Sequence, residues 1–86
     1  MSEGRALEVY LTASLRDAAD GAQMVLVHAE TIRELFRKLS ERYPGFEEKL
    51  EHGIAVSIDG DIYRDSWSKL IPPDAEIYLL PRLNGG

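Results

Sequence analysis

The 86-residue sequence has no cysteine. That excludes a disulfide framework, a thiolate zinc site and a thiol nucleophile, so any covalent chemistry must use another group. Basic side chains are in deficit: ten Lys and Arg stand against fifteen Asp and Glu, a formal net charge of -5. This balance argues against broad contact with nucleic acid or with an anionic membrane surface. Long apolar runs are missing too. The stretch from Met24 to Val27 is typical of the longest, well short of the ~20 residues a membrane helix needs. The first eight residues carry charges where a secretory signal needs an apolar segment, so neither a span nor a signal is expected, and the cytoplasm is the expected compartment.

Signatures of catalysis are equally scarce. There is no glycine-rich phosphate loop and no G-x-S-x-G elbow, and His28 and His52 have no Ser or carboxylate partner at motif spacing. Asp59, Asp61 and Asp65 lack the sixth-place glycine and distal Glu of a calcium loop, so no metal site is expected. Glu47, Glu48 and Glu51 fit one solvated helical face.

What is present reads as one small domain, which on folding hides roughly 60–65% of its unfolded surface. Leu7, Val9 and Leu11 alternate with polar or aromatic residues, the period of a half-buried strand. Met24 to Val27 form a second strand, near enough to pair back as a hairpin, with Asp20-Gly21 supplying turn chemistry in a loose connection. Thr31 and Glu34 have capping-box spacing, and Ile32, Leu35, Phe36, Leu39 and Tyr43 behind them mark one face of a helix that Pro44-Gly45 stops. Five such anchors contribute on the order of 10 kcal/mol before chain entropy is charged.

Phe46 and Leu50 followed by Gly53 predict a short further helical turn with a glycine cap. Ile54, Val56 and Ile58 alternate as a third strand. Asp59-Gly60 is a tight turn into a brief strand at Ile62-Tyr63, and residues 65–69 read as loop, with Trp67 a lid on the core edge. Pro72 to Ala75 form a turn before a last strand, Glu76 to Leu80, closed by Pro81. Strand, strand, helix, strand, short strand, strand is solved most simply by a β-grasp (ubiquitin-like) α+β layout. It is a mixed sheet with one main helix on one face and the first and last strands side by side at its centre. The expected organisation is a domain over residues 1–80 and a tail over 81–86.

The tail, Pro81-Arg82-Leu83-Asn84-Gly85-Gly86, has no core pattern and closes on two residues without side chains. Six residues reach up to about 20 Å, and glycine lets a chain pass a narrow channel with its carboxylate open to reaction. Alternation along the strands turns Tyr10, Tyr78 and Leu80 outward, away from the helix, as a docking patch beside the tail. Arg82 suits a carboxylate of a partner's channel, and Arg16 is read as steadying the loop after the first strand.

The chain resembles a known family, the MoaD/ThiS sulfur carriers, and within it the small subunits of molybdopterin synthase. The resemblance runs from about Leu7 to Gly86. Ala13-Ser14-Leu15-Arg16-Asp17 is similar to the family's A-x-L-R-[DE] stretch, Arg42-Tyr43-Pro44-Gly45-Phe46 to its R-Y-P-G-hydrophobic helix end, and Gly85-Gly86 to its terminus.

The resemblance implies that Gly86 is adenylated by an E1-like, ThiF-like adenylyltransferase and converted to a thiocarboxylate. The partner uses ATP, and no cofactor resides on this chain. Sulfur then passes to an acceptor such as the large subunit of molybdopterin synthase, with Gly85, Asn84, Leu83, Arg82, Leu80, Tyr78 and Tyr10 as partner-binding residues. The chain would be a recycled co-substrate rather than an enzyme. It departs from the family at Asp74-Ala75-Glu76, where Gly-Asp-Glu is usual, and at its ending, where Pro-Pro-Val-x-Gly-Gly is frequent. Arg-Leu-x-Gly-Gly also looks like the ending of ubiquitin. A protein modifier joined through Gly86, thiamine- or cysteine-type sulfur delivery, and a binding module with an inert tail therefore stay open.

Overall fold

The computed structural model describes residues 6–64 and 66–81. One five-stranded sheet has the order β2-β1-β5-β3-β4, with β1 at Leu7–Leu11, β2 at Met24–Val27, β3 at Ile54–Ile58, β4 at Asp61–Tyr63 and β5 at Glu76–Pro81. β1 and β5 run parallel, Val9 beside Ile77, and the other pairs are antiparallel. This is the β-grasp layout expected from the element order. β5 goes one residue beyond the expected strand: Pro81 still pairs with Ile54, a place at a ladder's end where proline's missing N–H is tolerated.

The main helix is α2, Ile32–Arg42. Thr31 Oγ1 accepts from the Glu34 N–H at 3.1 Å, and Glu34 Oε1 reaches back to the Glu30 N–H at 2.7 Å. The next two orphan amides of the first turn are also used, Ile32 N–H on the Lys69 carbonyl and Arg33 N–H on that of Trp67, so the helix start is tied to the 66–70 loop. Ile32, Leu35, Phe36 and Leu39 are buried, while Tyr43 caps the helix end and packs at the core's margin. α3, Phe46–His52, follows at once and stops at Gly53, whose φ of +104° few other residues adopt. Trp67 meets Phe36 edge-on at 5.1 Å, closing the core edge as its position in the loop predicts.

Two features differ from the expectation. The connection between β1 and β2 holds a one-turn helix α1, Ala13–Arg16, and a 3-10 turn, Asp17–Ala19. Leu15 and Ala19 are drawn into the core there, and Arg16 Nε holds the Leu11 carbonyl at 2.9 Å. β3, expected to be half-buried, is buried at all five positions. Its outward residues are small, Ser57 between Tyr78 and Ile62 and Ala55 beside Leu80, so larger neighbouring side chains screen them from water.

Candidate functional site

β5 brings the chain to the site from the middle of the sheet, with β1 on one side and β3 on the other. At its end, Thr12 offers both its backbone N–H, at 3.4 Å, and its hydroxyl, at 3.2 Å, to the Leu79 carbonyl. On the opposite side Leu80 pairs with Ala55 and Pro81 with Ile54. The last described residues are therefore held from both flanks. Arg82, Leu83, Asn84, Gly85 and Gly86 lie outside the described residues, as does Asp65.

The outward patch expected from alternation is assembled. Tyr10 and Tyr78 are partners in the parallel β1–β5 register and stack at 5.0 Å between centroids, 20° from coplanar, a geometry worth about 0.5–1.5 kcal/mol beyond burial. Leu80 lies on the same face, half-buried. The Tyr10 hydroxyl donates to Glu8 Oε1 at 3.1 Å. That bond, with the charge of Glu8 and of Glu76 beside it, holds the Tyr10 phenol above its ordinary range. Glu8 and Glu76 are themselves register partners, so the face grades from aliphatic at Leu80, through aromatic, to acidic at the far end.

The register also brings in residues that the alternation argument did not reach. Met24 pairs with Tyr10, and Ile62 with Ser57, which pairs with Tyr78. One row, Met24, Tyr10, Tyr78, Ser57 and Ile62, thus crosses all five strands. Met24, Ile62 and Tyr78 are exposed on it. The signal was available in the period-two rule applied to β2 and β4, but only strand pairing decides which half of a short apolar run faces out. Asp59 serves its turn, with Oδ1 accepting from the Glu76 N–H at 2.9 Å. Among the described residues no helix is long and apolar enough to cross a membrane.

The model of the ThiS family matches residues 9–86. Among solved structures, small archaeal modifier protein 1 of Methanosarcina acetivorans is 25% identical over 99% of this chain and 100% of its own, with a TM-score of 0.76. The complex of BexX and CysO from Amycolatopsis orientalis includes a chain 21% identical, covering 94% of this one and 100% of that, at 0.75. A Pyrococcus furiosus protein assigned as molybdopterin converting factor subunit 1 is 16% identical over 92% and 99%, also at 0.75. These last two likenesses bear on the fold. No curated protein matches the chain at a significant level.

Proposed function

The chain belongs to the ThiS family of small ubiquitin-like sulfur carriers, and from that premise we propose that its working group is the carboxylate of Gly86. An E1-like adenylyltransferase joins that carboxylate to AMP from ATP, releasing pyrophosphate. Hydrosulfide supplied by the activating system then attacks the acyl carbon, breaking its bond to AMP, and loses its proton to leave a thiocarboxylate and free AMP. A carboxylate is a poor acyl donor until activated, and the adenylate supplies the leaving group, so no catalytic side chain is required of this chain. It acts as a co-substrate in an ATP-supplied compartment, which we take to be the cytoplasm.

The observation that carries the reading is the reach of the family match to Gly86 itself, five residues past a strand that Thr12 and Ile54 anchor at the sheet centre. Arg82, Leu83, Asn84 and Gly85 enter the partner's channel, while Tyr10, Tyr78 and Leu80 seat against its surface, since aromatic and aliphatic side chains dominate the centres of interfaces. The overall resemblance to molybdopterin-synthase small subunits supports an acceptor of molybdopterin type, such as a synthase large subunit, with thiamine- and cysteine-type delivery as alternatives.

Intact-mass measurement of the protein isolated gently from its host tests this. A species in which one oxygen is exchanged for sulfur is expected, and it should vanish when Gly86 is deleted. Finding only unmodified chain would end the carrier reading. A second reading is favoured by the 25% identity to an archaeal modifier protein and by the Arg-Leu-x-Gly-Gly ending. In it, Gly86 forms an isopeptide bond with lysines of other proteins, and the expected products are Gly86-dependent conjugates of higher mass.

A further inference from the structure

Separate from the tail chemistry, the geometry points to β2 as a strand edge held shut by two cations of α2. β2 is one of the sheet's two outer strands. Alternate residues of an antiparallel strand turn their N–H and C=O away from the partner. In β2 the outward set includes Leu26, because its carbonyl is held from α2 by Arg42 Nη2 at 3.0 Å. One alternate residue further, just past the strand, the His28 carbonyl is held by Lys38 Nζ at 2.5 Å. Lys38 is itself drawn toward Glu34 Oε2, 3.8 Å away on the same helix.

An outer strand with free backbone groups is a template for another chain, and proteins blunt it with charged side chains, short length or covering groups. The opposite edge uses two of these devices: β4 has only three residues and begins on an exposed Asp61. β2 has no charge of its own. Its outward side chains, Met24 and Leu26, are apolar and 38% and 50% exposed, and its inward ones are two valines with high strand propensity. Nothing in the strand itself deters pairing. What deters it is that the Leu26 carbonyl, and the His28 carbonyl just beyond the strand, are occupied by charged donors, whose bonds are stronger than the neutral ones an added strand would supply.

We propose that Arg42 and Lys38 form a latch on the β2 edge, and that the strand admitted when the latch is removed is β2 of a second copy, paired antiparallel about a two-fold axis. A second copy is the natural occupant because two identical, uncharged edges are self-complementary under that symmetry. The continuous sheet so formed would set the Met24 and Leu26 side chains of both copies side by side.

The test is analytical ultracentrifugation of wild type and of the Lys38→Ala/Arg42→Ala variant across a concentration series, with circular dichroism to verify folding. Wild type is expected to stay monomeric, while the variant's weight-average mass rises toward double. Amide exchange at Met24 and Leu26 should slow in the dimer. Adding Leu26→Pro, which removes an outward N–H but no bond to β1, should restore the monomer. The latch is refuted if the folded double variant stays monomeric or if wild type itself dimerises through this edge. It is also refuted if the variant's dimer leaves the Met24 and Leu26 amides exchanging freely, since contact would then be through the sheet face. Lys38→Gln/Arg42→Gln, which keeps most of the aliphatic stems, replaces the alanine pair should the latter unfold.

Discussion

Thr12 and Leu79 are joined twice, the backbone N–H and the hydroxyl of one residue converging on the carbonyl oxygen of the other at 3.4 and 3.2 Å. They close the parallel β1–β5 pair two residues before Pro81. Because β1 and β5 occupy the sheet's middle, the chain beyond Pro81 is tethered to the most protected part of the fold rather than to a fraying edge.

Thr12→Val keeps the side chain's shape and removes the hydroxyl bond. The Leu79 carbonyl retains its N–H donor, so no buried acceptor is orphaned and the cost should be that of one ordinary hydrogen bond, about 1 kcal/mol. For a domain of this size that is a drop in Tm of about 4–8 °C. An unchanged melting temperature would show that the hydroxyl contributes nothing.

How far the sequence announces this architecture depends on the length of each signal. α2 is legible almost to the residue, because Thr31, Glu34 and four buried anchors repeat over three turns. α1 is not, since Ala13–Arg16 spans one turn, too short for any period to emerge. What fixes it is tertiary: Leu15 and Ala19 reach the core, and Arg16 ties back to Leu11. The Tyr10–Tyr78 half of the outer face follows from alternation within β1 and β5. Met24 and Ile62 join it only through register between strands distant in sequence. The latch of Arg42 on Leu26 crosses 16 positions, and no local pattern encodes it.

The core should be unforgiving. Leu35 sits at the end of the first turn of α2 with none of its surface exposed, within the core. Leu35→Ala removes that packing and leaves a cavity, at a cost of about 2–5 kcal/mol, a large share of the stability of a small domain. Chemical denaturation should show the midpoint moving steeply down with little change in slope. A loss below about 1 kcal/mol would mean the surrounding side chains collapse into the space.

The acid–base behaviour of Tyr10 gives a test of the outer face in the free protein. Its pKa is raised by the hydrogen bond to Glu8 first and by the charge of Glu8 next. A raised folded pKa means the protonated phenol is favoured by folding. The associated stability is complete below the unfolded value of about 10 and is lost as pH climbs through the folded one. Glu8→Gln removes the negative charge, so Tyr10 should ionise at lower pH than in wild type. Ultraviolet titration of phenolate absorbance reads this directly, and a tyrosine titration that does not move would show that Glu8 is not its controlling neighbour.

The reading of the sheet face as a docking surface stands or falls on Tyr78. It is 40% exposed, stacked on Tyr10, and on the face turned from the core, so Tyr78→Glu should leave the fold intact and cost little stability. The new carboxylate would stand beside Glu8 and Glu76, adding like charge where a partner must seat apolar surface. Loss of a central aromatic anchor typically removes 2 kcal/mol or more, so affinity for the activating enzyme should fall about 30-fold or more. Tyr78→Phe, which keeps the ring and the stack, should fall far less. ATP–pyrophosphate exchange measured against concentration of this chain separates the effects. A docking defect raises the half-saturating concentration and leaves the maximal rate, whereas misdirection of the tail lowers the rate itself. If Tyr78→Glu saturates the activating enzyme at the wild-type concentration, the face is not the docking surface, and recognition resides in the tail alone.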